Sequence, residues 1–141
     1  MRFWDSSAIV PLLVHEPSFA TLHQLLLIDA EITVWWATTI ECTSALARRQ
    51  REGSLVTEMA NSAYSRLREL STVWAEMLPS NPIRLTAHRL LRTHPLRAAD
   101  SLQLAAAIVA AENDPPTLQF VTLDHQLAEA ARREGFEVII G

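Results

Sequence analysis

Short apolar runs alternate along this chain with longer segments patterned for helices, and that alternation constrains the fold most strongly. Five runs read as strands: Met1–Trp4, Ile32–Trp35, Pro82–Leu85, Leu118–Leu123 and Phe136–Ile140. Each is brief and shows no polar–apolar alternation, the pattern of strands covered on both faces of a parallel sheet. Helical patterns lie between them, over Ser7–Leu13, Ser18–Ile28, Thr39–Arg51, Leu55–Leu78, Ala87–Thr93, Ala99–Glu112 and His125–Arg133. In the longest, Val56, Met59, Ala60, Ala63, Leu67, Leu70, Trp74 and Met77 recur at three- and four-residue steps. Gly53 and Gly135 each follow a helical segment, where a left-handed cap is useful. The alternation predicts an α/β sandwich, a short central parallel sheet with helices on both faces. A single domain over residues 1–141 is expected, because no repeat or linker interrupts the chain and an apolar share of 49% suffices for one core.

Composition removes several chemistries. All 12 positive charges are arginine, and glycine occurs only at positions 53, 135 and 141. A phosphate-binding P-loop needs clustered glycines and a lysine, and a dinucleotide fingerprint needs three closely spaced glycines. Schiff-base chemistry needs a lysine amine. A nucleophile elbow of the form G-x-S-x-G is likewise absent. Cys42 is alone, which excludes an intrachain disulfide and a cysteine-rich zinc site. The histidines show no metal-ligand spacing. The longest apolar run, Leu104 to Ala111, is too short for a membrane span. A cytoplasmic protein with no membrane partner is expected.

In a sheet of this kind, ligands bind beyond the carboxyl ends of the strands. Asp5 follows the first strand, Glu41 lies in the first turn after the second, Asp100 opens the apolar helix at Ala99, and Asp124 ends the fourth strand. Each has an ordinary structural role on offer. Asp5 and Asp124 can cap the helices they precede, Thr38 to Glu41 matches a capping box, and Asp100 suits a helix dipole. Capping explains the set less well, because Asp5 follows Phe3 and Trp4 and Asp100 lies among Ala98, Ala99, Leu102 and Leu104. Glu41 shares a helical face with Ser44, Ala45 and Arg48. Converging buried carboxylates repel one another and take up protons unless a cation is present. Oxygen-only ligands select Mg²⁺ or Mn²⁺, and such ions suit phosphoryl chemistry without a covalent nucleophile.

The stretches Asp5-Ser6-Ser7-Ala8-Ile9-Val10, Leu96-Arg97-Ala98-Ala99-Asp100-Ser101-Leu102-Gln103-Leu104-Ala105 and Phe120-Val121-Thr122-Leu123-Asp124, with Glu41 in a threonine-led helix start, resemble the PIN-domain family. The likeness is to VapC-type toxins of toxin–antitoxin pairs and covers essentially the whole chain. It implies a PIN-like three-layer sandwich and an Mg²⁺- or Mn²⁺-dependent endoribonuclease, with Asp5, Glu41, Asp100 and Asp124 as the catalytic acids and metal ligands. Ser6 and Thr122 are implied as supporting groups or occasional ligands. A homodimer, a cognate antitoxin and an RNA substrate are implied as partners. Gln103 departs from the pattern, standing where relatives often carry histidine.

Arginines bear on the substrate. From Met77 to Ala99 there is no acid, while Arg84, Arg89, Arg92 and Arg97 lead into Asp100. Fixed guanidiniums clamp a phosphate backbone bidentately, so Arg97 with Arg89 or Arg92 is expected to guide RNA to the acids. A second cluster is Arg48, Arg49 and Arg51. Two rival readings fail on residues: a phosphoacceptor receiver domain, from a different functional class, needs a late lysine, and a haloacid-dehalogenase-type phosphatase needs Asp-x-Asp where Asp5 is followed by Ser6 and Ser7. The remaining alternative is a catalytically inactive PIN-like module that binds RNA or protein, against which the four intact acids argue.

Overall fold

The structure is a computed structural model and describes residues 1–139. Its strands are β1 (Arg2–Trp4), β2 (Ile32–Trp35), β3 (Ala75–Met77), β4 (Gln119–Val121) and β5 (Glu137–Ile139). They pair in parallel in the order β3-β2-β1-β4-β5. Seven α-helices join them: α1 (Ser6–Val14), α2 (Phe19–Ile28), α3 (Thr38–Arg51), α4 (Thr57–Ser71), α5 (Asn81–Thr93), α6 (Ala98–Ala110) and α7 (His125–Arg133). A 3₁₀ turn over Pro115–Thr117 leads into β4.

The pleat of the central strands divides the core in two. Phe3, Trp35 and Phe120 point to one face, where Ile83, Ala87 and Leu90 of α5, Leu104 to Ile108 of α6 and Leu127 of α7 cover them. Their neighbours Trp4, Val34 and Val121 point to the other, against Ala8 and Ile9 of α1, Leu22 of α2, Cys42 and Leu46 of α3 and Ala63 and Leu67 of α4. Because both faces are covered, neighbouring strand positions are apolar in succession, as in Phe3-Trp4, Val34-Trp35 and Phe120-Val121. The result is a PIN-like three-layer α/β sandwich. Phe3 and Phe120 pair in register and stack with centroids 5.5 Å apart, and Phe136 meets Phe120 at 5.6 Å. Phe120→Ala is expected to cost about 3–5 kcal/mol, read as a lower midpoint in denaturant unfolding. A midpoint equal to wild type would show that these rings are not the hub of this layer.

Two sequence expectations are corrected. Pro82–Leu85 is not a strand. Ser80 caps α5 by accepting from the Ile83 amide, and Pro82 sits in the first turn, where its missing N–H costs nothing. The long helical pattern Leu55–Leu78 ends at Ser71, and Ala75–Met77 forms edge strand β3 by pairing with Thr33–Trp35. Consequently Asp100 does not follow a strand; it opens a helix reached from another helix. Gly53 and Gly135 both have positive φ, at 82° and 104°. Ile140, placed in the last strand by the sequence pattern, lies outside the described residues. Of the two adjacent tryptophans, Trp35 is in the core and Trp36 is exposed. No helix among the described residues is long and apolar enough to cross a membrane.

The topology also places a crevice. After β1 the chain enters α1 on one face of the sheet, whereas after the adjacent β4 it enters α7 on the opposite face. The two connections diverge and open the sheet's carboxyl edge between β1 and β4, the position where open α/β sheets bind ligands.

Candidate functional site

The β1–β4 ladder continues one residue past β1, with the Asp5 amide donating to the Val121 carbonyl at 3.1 Å. This holds Asp5 at the crevice. Its Oδ1 accepts from the Ser7 amide at 2.7 Å, and Oδ2 accepts from the Ser7 hydroxyl at 2.8 Å and from the Thr122 hydroxyl. Thr122 in turn accepts from the Asp124 amide at 3.0 Å, and Ser7 Oγ from the Leu123 amide at 2.9 Å. Two hydroxyls thus tie the ends of β1 and β4 together. Asp124 caps α7, its Oδ1 taking the Gln126 and Leu127 amides at 2.9 and 3.0 Å. Capping and cleft placement coexist: the same two carboxylates start helices and line the cleft.

Glu41 reaches the cleft differently. The expected capping box does not form; α3 starts after Ala37 with no side-chain cap. Instead Glu41 Oε1 accepts from the Ser6 hydroxyl at 3.3 Å, and Oε2 accepts from Gln103 Nε2 at 2.9 Å. Ser6 Oγ also lies 3.4 Å from Asp5 Oδ1, so one hydroxyl proton stands between two acids. Asp100, half-buried in the first turn of α6, faces the exposed Arg97, whose Nε is 3.5 Å from Oδ2.

These four acids line one cleft of about 760 Å³ with Ser6, Ser44, Arg48, Arg49 and Arg97. The surroundings of Asp5, Glu41 and Asp100 work against ionisation. Burial holds Asp5 above the ordinary carboxylate range, with the charge of Asp124 adding to it and bonds from Thr122 and Ser7 opposing. Burial pushes Glu41 up to about 7, aided by Asp5 and Asp100 and opposed by Gln103 and Ser6. Burial also raises Asp100, with Asp124 contributing and Arg97 offsetting. The donor set is all oxygen and fits a hard divalent cation such as Mg²⁺ or Mn²⁺. Among the described residues no three His, Cys, Asp or Glu side chains already stand as a closed ligand group. The acids ring the cleft rather than meeting at one point.

The arginines sort unevenly. Arg97 lies at the cleft. Arg89 is held by Glu134, at 2.7 Å from Nη2 and 3.2 Å from Nη1, and Glu134 also takes His94 Nε2 at 2.6 Å. Arg89 and Arg92 line a separate hollow on α5 with His88, not the acidic cleft. Arg48 and Arg49 of α3 take the place at the cleft that was expected of Arg89 and Arg92, Arg49 being paired with Glu16. The signal for Arg48 is visible in the chain: it follows Glu41 and Ser44 on one helical face, seven and four residues on. Gln103 stood out in the sequence only as a departure from the family pattern; its bonds to Thr38 and Glu41 come from the approach of α6 to α3.

No protein-family model matches the chain, and no curated protein matches it. Solved structures share its fold. One is the crystal structure of VapBC2 from Rickettsia felis bound to a DNA fragment from the promoter, with TM-score 0.66 and 14% identity over 99% of this chain and 98% of that one. Another is FitAcB from Neisseria gonorrhoeae, with TM-score 0.64 and 20% identity over 99% and 96%. The chain shares its fold with a chain in each of these structures. The VapC-type toxin assignment implied by the sequence resemblance is corrected by this comparison. The matches are to two-protein complexes at 14% and 20% identity, and likeness at that level carries a fold, which many functions share, and not membership of the toxin's family.

Proposed function

We propose that this chain is a divalent-cation-dependent nuclease that cleaves RNA phosphodiesters and works within a toxin–antitoxin pair. The observation that carries the reading is the ring of Asp5, Glu41, Asp100 and Asp124 around one cleft at the carboxyl edge of the sheet, where burial disfavours the charge of the first three. Asp5, Glu41, Asp100 and Asp124 would hold Mg²⁺ or Mn²⁺, which when bound makes water a nucleophile near neutral pH and offsets phosphate charge.

The chain's own residues do the rest. Thr122 and Ser7 fix Asp5 from behind, so its position is set before any ligand arrives. Ser6 stands between Asp5 and Glu41, its hydroxyl within reach of both carboxyl groups. Arg48 and Arg97 stand at the same cleft and attract a phosphate backbone to a place whose acids would otherwise repel it. VapBC2 and FitAcB are two-protein complexes, which supports a protein partner for this chain as well. A homodimer belongs to the same reading.

The test is cleavage of a labelled RNA in Mn²⁺ or Mg²⁺ against the same reaction in chelator. Cleavage that needs the cation supports the proposal; cleavage that persists in chelator overturns it. RNA bound but left intact under every condition would favour a binding module. Arg48→Ala and Arg97→Ala are each expected to weaken binding of uncleaved RNA and to flatten its dependence on salt, by about 0.7 in the log–log slope for each phosphate no longer neutralised. An unchanged slope in both variants would remove the arginines from the RNA path, and Arg92→Ala serves as the control expected to leave the slope alone.

A further inference from the structure

We propose that Gln103 is a positioning residue that aims Glu41 into the cleft, an inference that rests on the cation-dependent reading above. Gln103 lies one turn after Asp100 on α6 and is almost wholly buried. Its Nε2 donates across the gap to α3 twice, to Glu41 Oε2 at 2.9 Å and to Thr38 Oγ1 at 3.1 Å. Asp100 and Gln103 are three residues apart on one helix, and Thr38 and Glu41 three apart on the other, so each pair shares a face. One amide therefore couples the two helices that bring Asp100 and Glu41 to the cleft.

The other end of the same amide argues that this bond is its purpose. Gln103 Oε1 is buried with no hydrogen-bond partner. A group kept only for packing gains nothing from a buried carbonyl without a donor, and an apolar side chain of equal length would avoid the penalty. What methionine could not supply is the N–H that fixes Glu41. Groups that orient metal-binding carboxylates through a hydrogen bond typically change metal affinity or activity 10- to 100-fold when lost. Thr38 sets the direction of the amide, since its hydroxyl takes the second Nε2 proton and leaves the first pointing at Glu41.

Gln103→Met tests this by keeping length and volume while removing the donor. It is expected to fold with a melting temperature at or above wild type, to bind Mn²⁺ about 10-fold more weakly by calorimetry, and to lose cleavage mainly in kcat rather than in KM. Gln103→His, which restores a ring N–H, is expected to recover part of the Mn²⁺ affinity. A folded Gln103→Met that binds Mn²⁺ as wild type does overturns the proposal while leaving the cation-dependent reading intact. Should that variant not fold, the wild-type chain provides the measurement: the Gln103 side-chain amide resonances are expected to shift on titration with diamagnetic Mg²⁺, and resonances that stay fixed while Mg²⁺ binds overturn the proposal. Wild type that binds neither cation overturns this proposal and the reading beneath it together.

Discussion

Asp5→Asn and Asp100→Asn are each expected to lower cation-dependent RNA cleavage by on the order of 10²- to 10³-fold while leaving the fold intact, the scale on which removal of one fixed electrostatic interaction acts. The folds survive because amide and carboxylate have nearly the same shape. In Asp5→Asn the remaining oxygen can still accept the Ser7 amide that starts α1, and asparagine is as good a helix cap as aspartate. The Thr122 and Ser7 hydroxyls, which donate to Oδ2, can rotate to accept from the new NH₂. Asp100→Asn loses only a pairing with the exposed Arg97, which is worth little in water. Both substitutions remove a charge that its surroundings disfavour. In chelator, each variant is therefore expected to melt at or slightly above wild type, while its cleavage at saturating Mn²⁺ is lost. Gel cleavage and thermal unfolding on the same samples check the two halves. Folded variants that cleave at the wild-type rate would remove these acids from the reaction.

How far the site was legible follows from which forces act locally. β1, β2 and β4 announce themselves because strands covered on both faces need apolar residues at successive positions, as Phe3-Trp4, Val34-Trp35 and Phe120-Val121 supply. The N-caps at Asp5 and Asp124 were legible too, since capping is settled within four residues. β3 was not. Ala75 and Glu76 are exposed, and Trp74 and Met77 continue the helical spacing of α4, so only pairing with β2 makes this segment a strand. The same blindness turned Pro82–Leu85 into a strand, although Ser80 before Asn81-Pro82 carried the capping signal.

Interactions across layers were the least legible. Glu41 was placed correctly at a helix start, but the capping box assigned to it is replaced by Ser6 from α1 and Gln103 from α6, neither near it in sequence. Arg89 and Arg92 share a stretch with Arg97, yet α5 carries them to a different surface, where Glu134 at the end of α7 engages Arg89. Sequence proximity to Asp100 was a poor guide; sharing a helical face with Glu41, as Arg48 does, was a better one.

A second large effect concerns stability and pH. In chelator, the melting temperature is expected to fall as pH rises from about 5 to 8, and saturating Mg²⁺ is expected to reverse the fall. The sign comes from Glu41, whose ordinary value of 4.5 rises to about 7 in the folded chain. The folded state keeps a proton that the unfolded state releases, so this contribution is whole below 4.5 and is lost as pH climbs through about 7. Asp5 and Asp100 act in the same direction. Glu134 acts oppositely: Arg89 and His94 hold it below its ordinary value, so its contribution is present at neutral pH and fades on acidification. The cation-free chain should accordingly be most stable between these limits, in mildly acidic solution. At 1.36 kcal/mol per pH unit, and discounted because Glu41 is partly open to solvent, its share is about 1–2 kcal/mol, roughly 5 °C for a chain this size. A cation bound only to the folded chain at 100 times its dissociation constant adds about 2.7 kcal/mol, enough to cancel the loss. Glu41→Gln should flatten the alkaline limb and weaken the response to Mg²⁺ together. A flat profile in chelator, unchanged by that substitution, would mean that burial does not hold Glu41 protonated in the folded chain. The cleft would then have no electrostatic reason to take up a cation.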